Sequence, residues 1–412
     1  MSSVNFDIKR RFVIRLGKAL HQLGTPAARL ESLLTRVART LHIDGTFLVQ
    51  PTNLTFVMWE PSDDPEHMPL EMAHIARTQP GDINLGALAR VNRLVDRVLS
   101  GETSPSQALL KLREIEADNS PYPEWLMALA FCISGGAFAM LISSNWQTTI
   151  GSTILSLISY ALVHGAARSQ RIAKALEPAS AMFCAIGAMA MTRFMPELNV
   201  SVAVLSAIII FIPGLSITLA LKEVSARELL SGTARLVDAF MVMFKLYFGT
   251  VLGMAIGAKL WGKAVFPEET FLSAQLIALA ALVLSLSLVV VFKVRVRDAL
   301  WCVMSGVLAY VSSIAASEVL GDGLGPFVGA LLVGLYGNLY ARVMKAPASV
   351  VLLPGIVLLV PGSKTYISLN SMIMGESIIN QPDLGSQTFL IFMSLVAGLV
   401  FADVLVEPRN DL

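Results

Sequence analysis

Three ionisable residues interrupt an otherwise apolar stretch, "SGTARLVDAFMVMFKLYFGTVLG": Arg235, Asp238 and Lys245. Their spacings of three and seven put all three on one face of a helix. Charges at membrane depth are costly and mark function by default. A carboxylate there can carry a proton, and a nearby cation can hold it charged. Asp238 and Arg235 lie one turn apart and can pair, inside the protein or as a solvated pair at the membrane surface. Lys245 has apolar residues on both sides and needs an interior partner. This set is the candidate for coupling and gating.

A second set surrounds two Pro-Gly pairs, in "FIPGLSITLA" (211–220) and "LVPGSKTYIS" (359–368). Proline removes a backbone donor and glycine permits the turn, so each pair breaks a helix. The freed N–H groups and the positive end of the following half-helix then form an anion site. Ser216, Thr218, Ser363 and Thr365 are short hydroxyls suited to a carboxylate or an amino group. Lys364 can meet a substrate carboxylate or snorkel to the surface. The candidate substrate residues are thus Pro213, Gly214, Ser216, Thr218, Pro361, Gly362, Ser363, Lys364 and Thr365. The competing reading is that each Pro-Gly only ends a helix at the membrane surface; apolar sequence continuing past both weighs against it. Glu318, Asp322 and Glu376 fall near span ends, where they can guard an exit or serve as ordinary interfacial acids.

The elements that must position these residues are membrane helices. The chain is 55% hydrophobic and 15% charged, with a mean hydropathy of +0.66, against about 45–50% and about 25% in soluble domains. A span needs about 20 mostly apolar residues. Ten stretches qualify: 125–143, 148–166, 176–193, 198–221, 228–260, 270–292, 299–319, 324–343, 347–376 and 386–406. Cytoplasmic loops are enriched in Lys and Arg. With residues 1–120 inside, the inner loops hold twelve such residues, among them Arg168, Arg171 and Lys174, Lys293, Arg295 and Arg297, and Arg409. The outer loops hold only Arg193, Lys259 and Lys263. Both ends are expected in the cytoplasm, with the protein in the inner membrane.

Pro361 lies 148 residues after Pro213. At that offset Ser201/Ser349, Val202/Val350, Leu205/Leu353, Ile208/Ile356 and both members of the Pro-Gly pair are identical. These are the fourth and ninth stretches of ten, so each half holds five. An odd number inverts the second half, the design of many secondary transporters. The expected architecture is a polytopic α-helical membrane protein. Ten helices form a 5+5 inverted repeat (121–265 and 266–412) with two Pro-Gly-broken helices.

Residues 1–120 hold most of the charge and read as a small α+β cytoplasmic domain. Apolar residues at helical spacing fill 13–41, with a joint near Gly24-Thr25-Pro26. Two β-branched runs flank Pro51-Thr52-Asn53 as a hairpin, and residues 67–76 suggest a third strand. A helix ends at Gly101, and Ser104-Pro105 starts another. The histidines are scattered and the three cysteines isolated, so no metal site and no cofactor is expected. A net charge of +1 without a basic block gives no nucleic-acid signal. No Walker A motif argues for an ATP-driven pump. A membrane-embedded hydrolase or a sensor remains as a remote alternative, without a nucleophile–base pair to support it.

With these segments in view, the chain resembles the threonine/serine exporter family over nearly its whole length. "LGTPAARLESLLTRVA" is similar to the family's G-A-x-x-x-R-V-E stretch, with Arg29 and Glu31 matching. "IPGLSITLALKEVSARELLSGTARLVDAF" resembles the signature L-V-P-G-x-x-x-T-N-A-I-R-D … S-G-x-A-R-L-x-E-A. Pro213, Gly214, Thr218, Ser231, Gly232, Arg235 and Asp238 fall on it. "PGIVLLVPGSKTY" resembles the second part's P-G-I-x-x-L-V-P-G-S. Departures are Leu219 for Asn, Lys222-Glu223 for Arg-Asp, Asp238 for Glu, and Lys245 where small apolar residues are usual. The resemblance implies a proton-motive-force-driven exporter of small polar amino acids, L-threonine and L-serine, with protons and lipid as partners. Dicarboxylate export is the nearest alternative, and a homo-oligomer is left open.

Overall fold

The computed structural model describes residues 2–61, 70–78, 81, 83–118, 120–142, 145–262, 273–362, 366 and 384–407. The N-terminal part opens with α1 (Ser2–Gln22) and α2 (Ala27–Thr40), joined at Gly24-Thr25-Pro26. An antiparallel sheet follows, in the order β1 (Asp44–Gln50), β2 (Asn53–Trp59), β3 (Met72–Arg77). Strand β2 alternates, burying Leu54, Phe56 and Met58 on one face, the period-two pattern of a half-buried strand. Helix α3 (Leu85–Leu99) is capped by Asn84, whose side chain accepts the Ala87 N–H at 2.9 Å. Helix α4 (Pro105–Ala117) starts on Ser104, which accepts the Gln107 N–H, with proline in its first turn.

Beyond the linker come α5 (Glu124–Ile142), α6 (Trp146–Ala166), the short α7 (Gln170–Lys174), α8 (Leu176–Met191) and α9 (Val200–Ala207). Then follow α10 (Gly214–Ser225), α11 (Leu229–Trp261), α12 (Ala274–Val291), α13 (Val296–Leu320), α14 (Gly325–Met344), α15 (Ser349–Leu359) and α16 (Leu384–Leu405). Among the described residues, seven of these are long and apolar enough to cross a bilayer, or eight if the bent pair α9–α10 is one span. Helices α8 and α15 fall short by length. The expectation of ten rested on apolar composition, which does not register where a turn cuts a segment. Arg193 lies in such a turn, and α15 stops at Leu359, before Pro361.

The membrane reading rests on what faces outward. Helix α11 exposes Val237, Phe240, Met241, Phe244, Phe248 and Leu252 in one continuous band. Such a patch would be unfavourable in water and suits lipid. Its 33 residues give a length of about 50 Å, well past the ~30 Å hydrocarbon core. The chain is therefore a polytopic helical membrane protein.

The N-terminal part caps one end of this bundle. Its buried core runs without interruption from Leu16, Phe56 and Leu112 into Val294, Cys302, Tyr340 and Val350. Leu85 and Gly86 donate their N–H groups to the carbonyls of Phe292 and Lys293 at 3.0 and 3.1 Å, and the Tyr122 hydroxyl donates to Val294 O at 2.6 Å. A Cβ on Gly86 would stand 2.5 Å from Lys293 O, so only glycine allows this approach. Strand β1 also packs against α11. Burial pushes the His21 imidazole below its ordinary range; its bond to the Pro51 carbonyl opposes this, and the Arg235 guanidinium adds to it.

Candidate functional site

The helix α9 ends at Ala207, a single 3-10 turn spans Ile209–Phe211, and α10 begins at Gly214. The axes on either side differ by 57°. At the second break, Val360 is extended between the end of α15 and Pro361. The two breaks touch. A Cβ on Gly214 would lie 3.1 Å from Gly362 Cα, and one on Gly362 would lie 3.3 Å from Gly214 Cα. An inverted repeat alone would allow the two breaks to face each other across an open site. The structure instead packs them backbone to backbone, and the open space lies beside the contact.

That space is a cavity of about 630 Å³, within the ~300–1,000 Å³ range of small-molecule sites. Ile209–Ser216 and Val357–Gly362 line its middle. Toward the capped end it meets Ile83, Glu177, Asp238 and Phe292; toward the other end, Tyr310, Ser313, Ser317 and Asp322. Much of the remaining wall is apolar, from Phe138, Leu284 and their neighbours. The first turn of α10 opens onto it through Gly214, Leu215 and Ser216, which brings the positive end of a helix to an apolar chamber. The described lining residues carry three carboxylates and no lysine or arginine.

The sequence-predicted residues divide clearly. Pro213, Gly214, Ser216, Pro361, Gly362 and Asp238 line the cavity. Thr218 does not; it is fully buried and its hydroxyl donates to Gly214 O at 3.1 Å. Ser363, Lys364, Thr365 and Glu376 lie outside the described residues. Arg235 does not pair with Asp238. Its Nε and Nη2 donate to the two oxygens of Glu223 at 3.2 and 3.1 Å, and Ser231 adds a third donor at 3.1 Å. Lys245 faces Glu177 at 3.9 Å. Glu31 sits in the N-terminal part, where its carboxylate accepts the Val49 N–H at 2.7 Å; burial pushes its carboxyl up, the Val49 bond opposes that, and Glu228 adds to it. Arg29, half-buried on the same helix, is likewise remote from the cavity lining. Among the described residues no His, Cys, Asp or Glu group is placed to hold a metal ion.

Two residues escaped the sequence reading. Glu177 opens α8 beside a loop and reads there as an ordinary interfacial acid. Glu223 was noted only as a departure from a motif. Adjacent residues of α10 therefore point to different halves of the bundle: Glu223 to α11, Lys222 to Asp403 on α16 at 2.8 Å. Asp403 also accepts from Asn338 at 3.3 Å. Both partners of the Lys222–Asp403 pair are about one-third exposed, so the pair contributes no more than about 1 kcal/mol. Its value is in holding α10 against α16. Lys222→Glu is expected to lower the melting temperature of the detergent-purified protein slightly, and adding Asp403→Lys to restore it. A double exchange no better than the single would show that the pair carries nothing.

The fold and the cavity define a polytopic helical membrane protein with a central chamber at two paired helix breaks. The comparisons give the family. A threonine/serine exporter model matches residues 11–257, and a second, "Threonine/Serine exporter, ThrE", matches residues 277–405. The chain belongs to the threonine/serine exporter family. It is also similar to curated fungal proteins called pheromone-regulated membrane protein 10. It is 27% identical to that of Eremothecium gossypii over 97% of this chain and 56% of the relative. It is 26% identical to that of Saccharomyces cerevisiae (90% and 48%) and 24% identical to that of Candida albicans (90% and 34%). The chain thus spans about half or less of these relatives. No solved structure matches it.

Proposed function

We propose that the protein is a secondary active exporter of small polar amino acids, L-threonine and L-serine, driven by the proton gradient. The observation that carries this reading is the contact of the two Pro-Gly breaks at one cavity lined by both breaks and by carboxylates. The substrate's carboxylate meets the first turn of α10 at Gly214–Ser216, with the Ser216 hydroxyl beside it. Its ammonium turns to the carboxylates at the capped end. Asp238 has no ion-pair partner among the described residues and faces the cavity, so it is the group that exchanges a proton. Counting α8, and α15 with the residues after its break, as spans gives ten helices in two inverted halves. The N-terminal part is then a cytoplasmic α+β domain in the inner membrane's cytoplasmic face. The two halves rock about the Gly214–Gly362 contact and open the cavity to each side in turn.

A dicarboxylate is the nearest competing substrate. The carboxylates of the lining disfavour it, since like charges in an apolar chamber repel strongly. Purified protein in proteoliposomes is expected to release labelled threonine and serine faster with a pH gradient than without, and not to release succinate. Asp238→Asn is expected to reduce gradient-driven export to background with normal insertion. Release that continues unchanged after an uncoupler collapses the gradient would end the proton-coupled reading. Competition by succinate and not by serine would replace the substrate.

A further inference from the structure

Glu177 and Lys245 form a charge pair whose geometry is incomplete. Helices α8 and α11 approach closely because Gly249, Gly253 and Gly257 fall on one stripe of α11. A Cβ on Gly249 would collide with Pro178 O, and one on Gly257 would lie 2.5 Å from Met189 Cβ. That stripe brings the first turn of α8 alongside Lys245. The Lys245 Nζ stops 3.9 Å from the Glu177 Oε2. This is near enough to balance charge and too far for a hydrogen bond. Among the described residues, nothing donates to the Glu177 carboxylate. It is three-quarters buried, and it lines the same cavity as Asp238. Lys245 lies outside that lining, on the same face of α11 as Val242, which belongs to it.

We infer that Glu177 is the carboxylate that binds the substrate's ammonium, and that Lys245 is a tethered cation holding the same carboxylate while the cavity is empty. This rests on the exporter reading above. A carboxylate that has lost most of its water is unfavourable without a counter-charge, and Lys245, itself 41% exposed, is the cation within reach of it. A primary ammonium entering the cavity supplies three donors at hydrogen-bond distance, which Lys245 does not reach. Lys245 is then displaced and returns when the substrate leaves. The substrate class follows: zwitterions with a free primary ammonium, and not their N-acylated or dicarboxylate counterparts.

The test compares wild type, Glu177→Gln, Glu177→Asp and Lys245→Met in proteoliposomes, using threonine and N-acetylthreonine. Glu177→Gln is expected to raise the KM for threonine by about 10-fold or more, the loss of a charged hydrogen bond, and Glu177→Asp to recover part of it. Lys245→Met removes the competitor, so the KM for threonine is expected to fall while maximal export falls as release loses its driving cation. N-acetylthreonine is expected to compete poorly with threonine in the wild type. If Glu177→Gln inserts poorly, the KM shift of Lys245→Met decides. An unchanged KM in Lys245→Met, or equal competition by N-acetylthreonine, overturns the inference while leaving export intact. Absence of threonine and serine export by the wild type overturns the exporter reading itself.

Discussion

Leucine at Gly214 or at Gly362 is expected to abolish export while leaving most of the protein in the membrane. The two glycines meet with a bare-backbone approach. A Cβ on Gly214 would overlap Val360 Cγ1 and come within 3.1 Å of Gly362 Cα. A Cβ on Gly362 would come within 2.9 Å of Ile212 Cγ2. The valine and isoleucine methyls can turn aside, but the opposing backbone cannot. Alanine at either site therefore calls for a shift of a few tenths of an ångström, whereas leucine forces the breaks apart. Overpacking of a tight contact costs about 1–3 kcal/mol, enough to displace a two-state equilibrium by about 5- to 150-fold. If the halves rock about this point, that displacement falls on the transport cycle. Export per inserted molecule, measured for Gly214→Ala, Gly214→Leu, Gly362→Ala and Gly362→Leu, is expected to fall in graded fashion with side-chain size. Gly385→Leu in α16 is the control, because a Cβ there meets nothing within 4 Å. Wild-type export from both leucine variants would show that the breaks are helix ends and no more.

The location of these breaks was legible in the sequence, and their contact was not. A Pro-Gly pair inside an apolar run reports a break locally, through a missing donor and a permissive turn. The offset of 148 residues reports that the break recurs. Whether two broken segments face each other across a gap or pack directly depends on how the halves dock, which no spacing rule encodes. The N-terminal elements were legible for the same local reason: alternation in β2, the Ser104-Pro105 start of α4, the Gly24–Pro26 joint. That their core would continue into Val294 and Tyr340 was not, because those residues are ordinary apolar members of other helices. Glu177 was missed on similar grounds. It becomes a cavity residue only because glycines more than 70 positions later on α11 draw α8 inward.

Arg235 is the clearest case of a partner hidden from sequence. One-turn spacing favoured Asp238. The observed partner, Glu223, precedes it by 12 residues, across the turn at Arg227, a non-glycine residue with φ 67°. That turn folds α10 back along α11 and delivers Glu223 beneath Arg235 and Ser231. The Glu223 side chain is only 8% exposed and receives three donors. Arg235→Ala would leave this carboxylate with a serine hydroxyl alone. Stranding one member of a buried pair costs about 3–5 kcal/mol, so detergent-purified Arg235→Ala is expected to melt well below wild type. Glu223→Gln removes the buried charge itself and leaves Arg235 more exposed than its partner, so its loss is expected to be smaller. The double variant Glu223→Gln/Arg235→Gln is expected to lose less than the two single losses combined, the sign of direct coupling. Asp238 separates the assignments. If Arg235 paired with it, Asp238→Asn would destabilise comparably. With Glu223 as the partner, Asp238→Asn keeps the wild-type melting temperature and loses only transport. Equal destabilisation by Asp238→Asn, or a wild-type melting temperature for Arg235→Ala, would return the pairing to the one the spacing suggested.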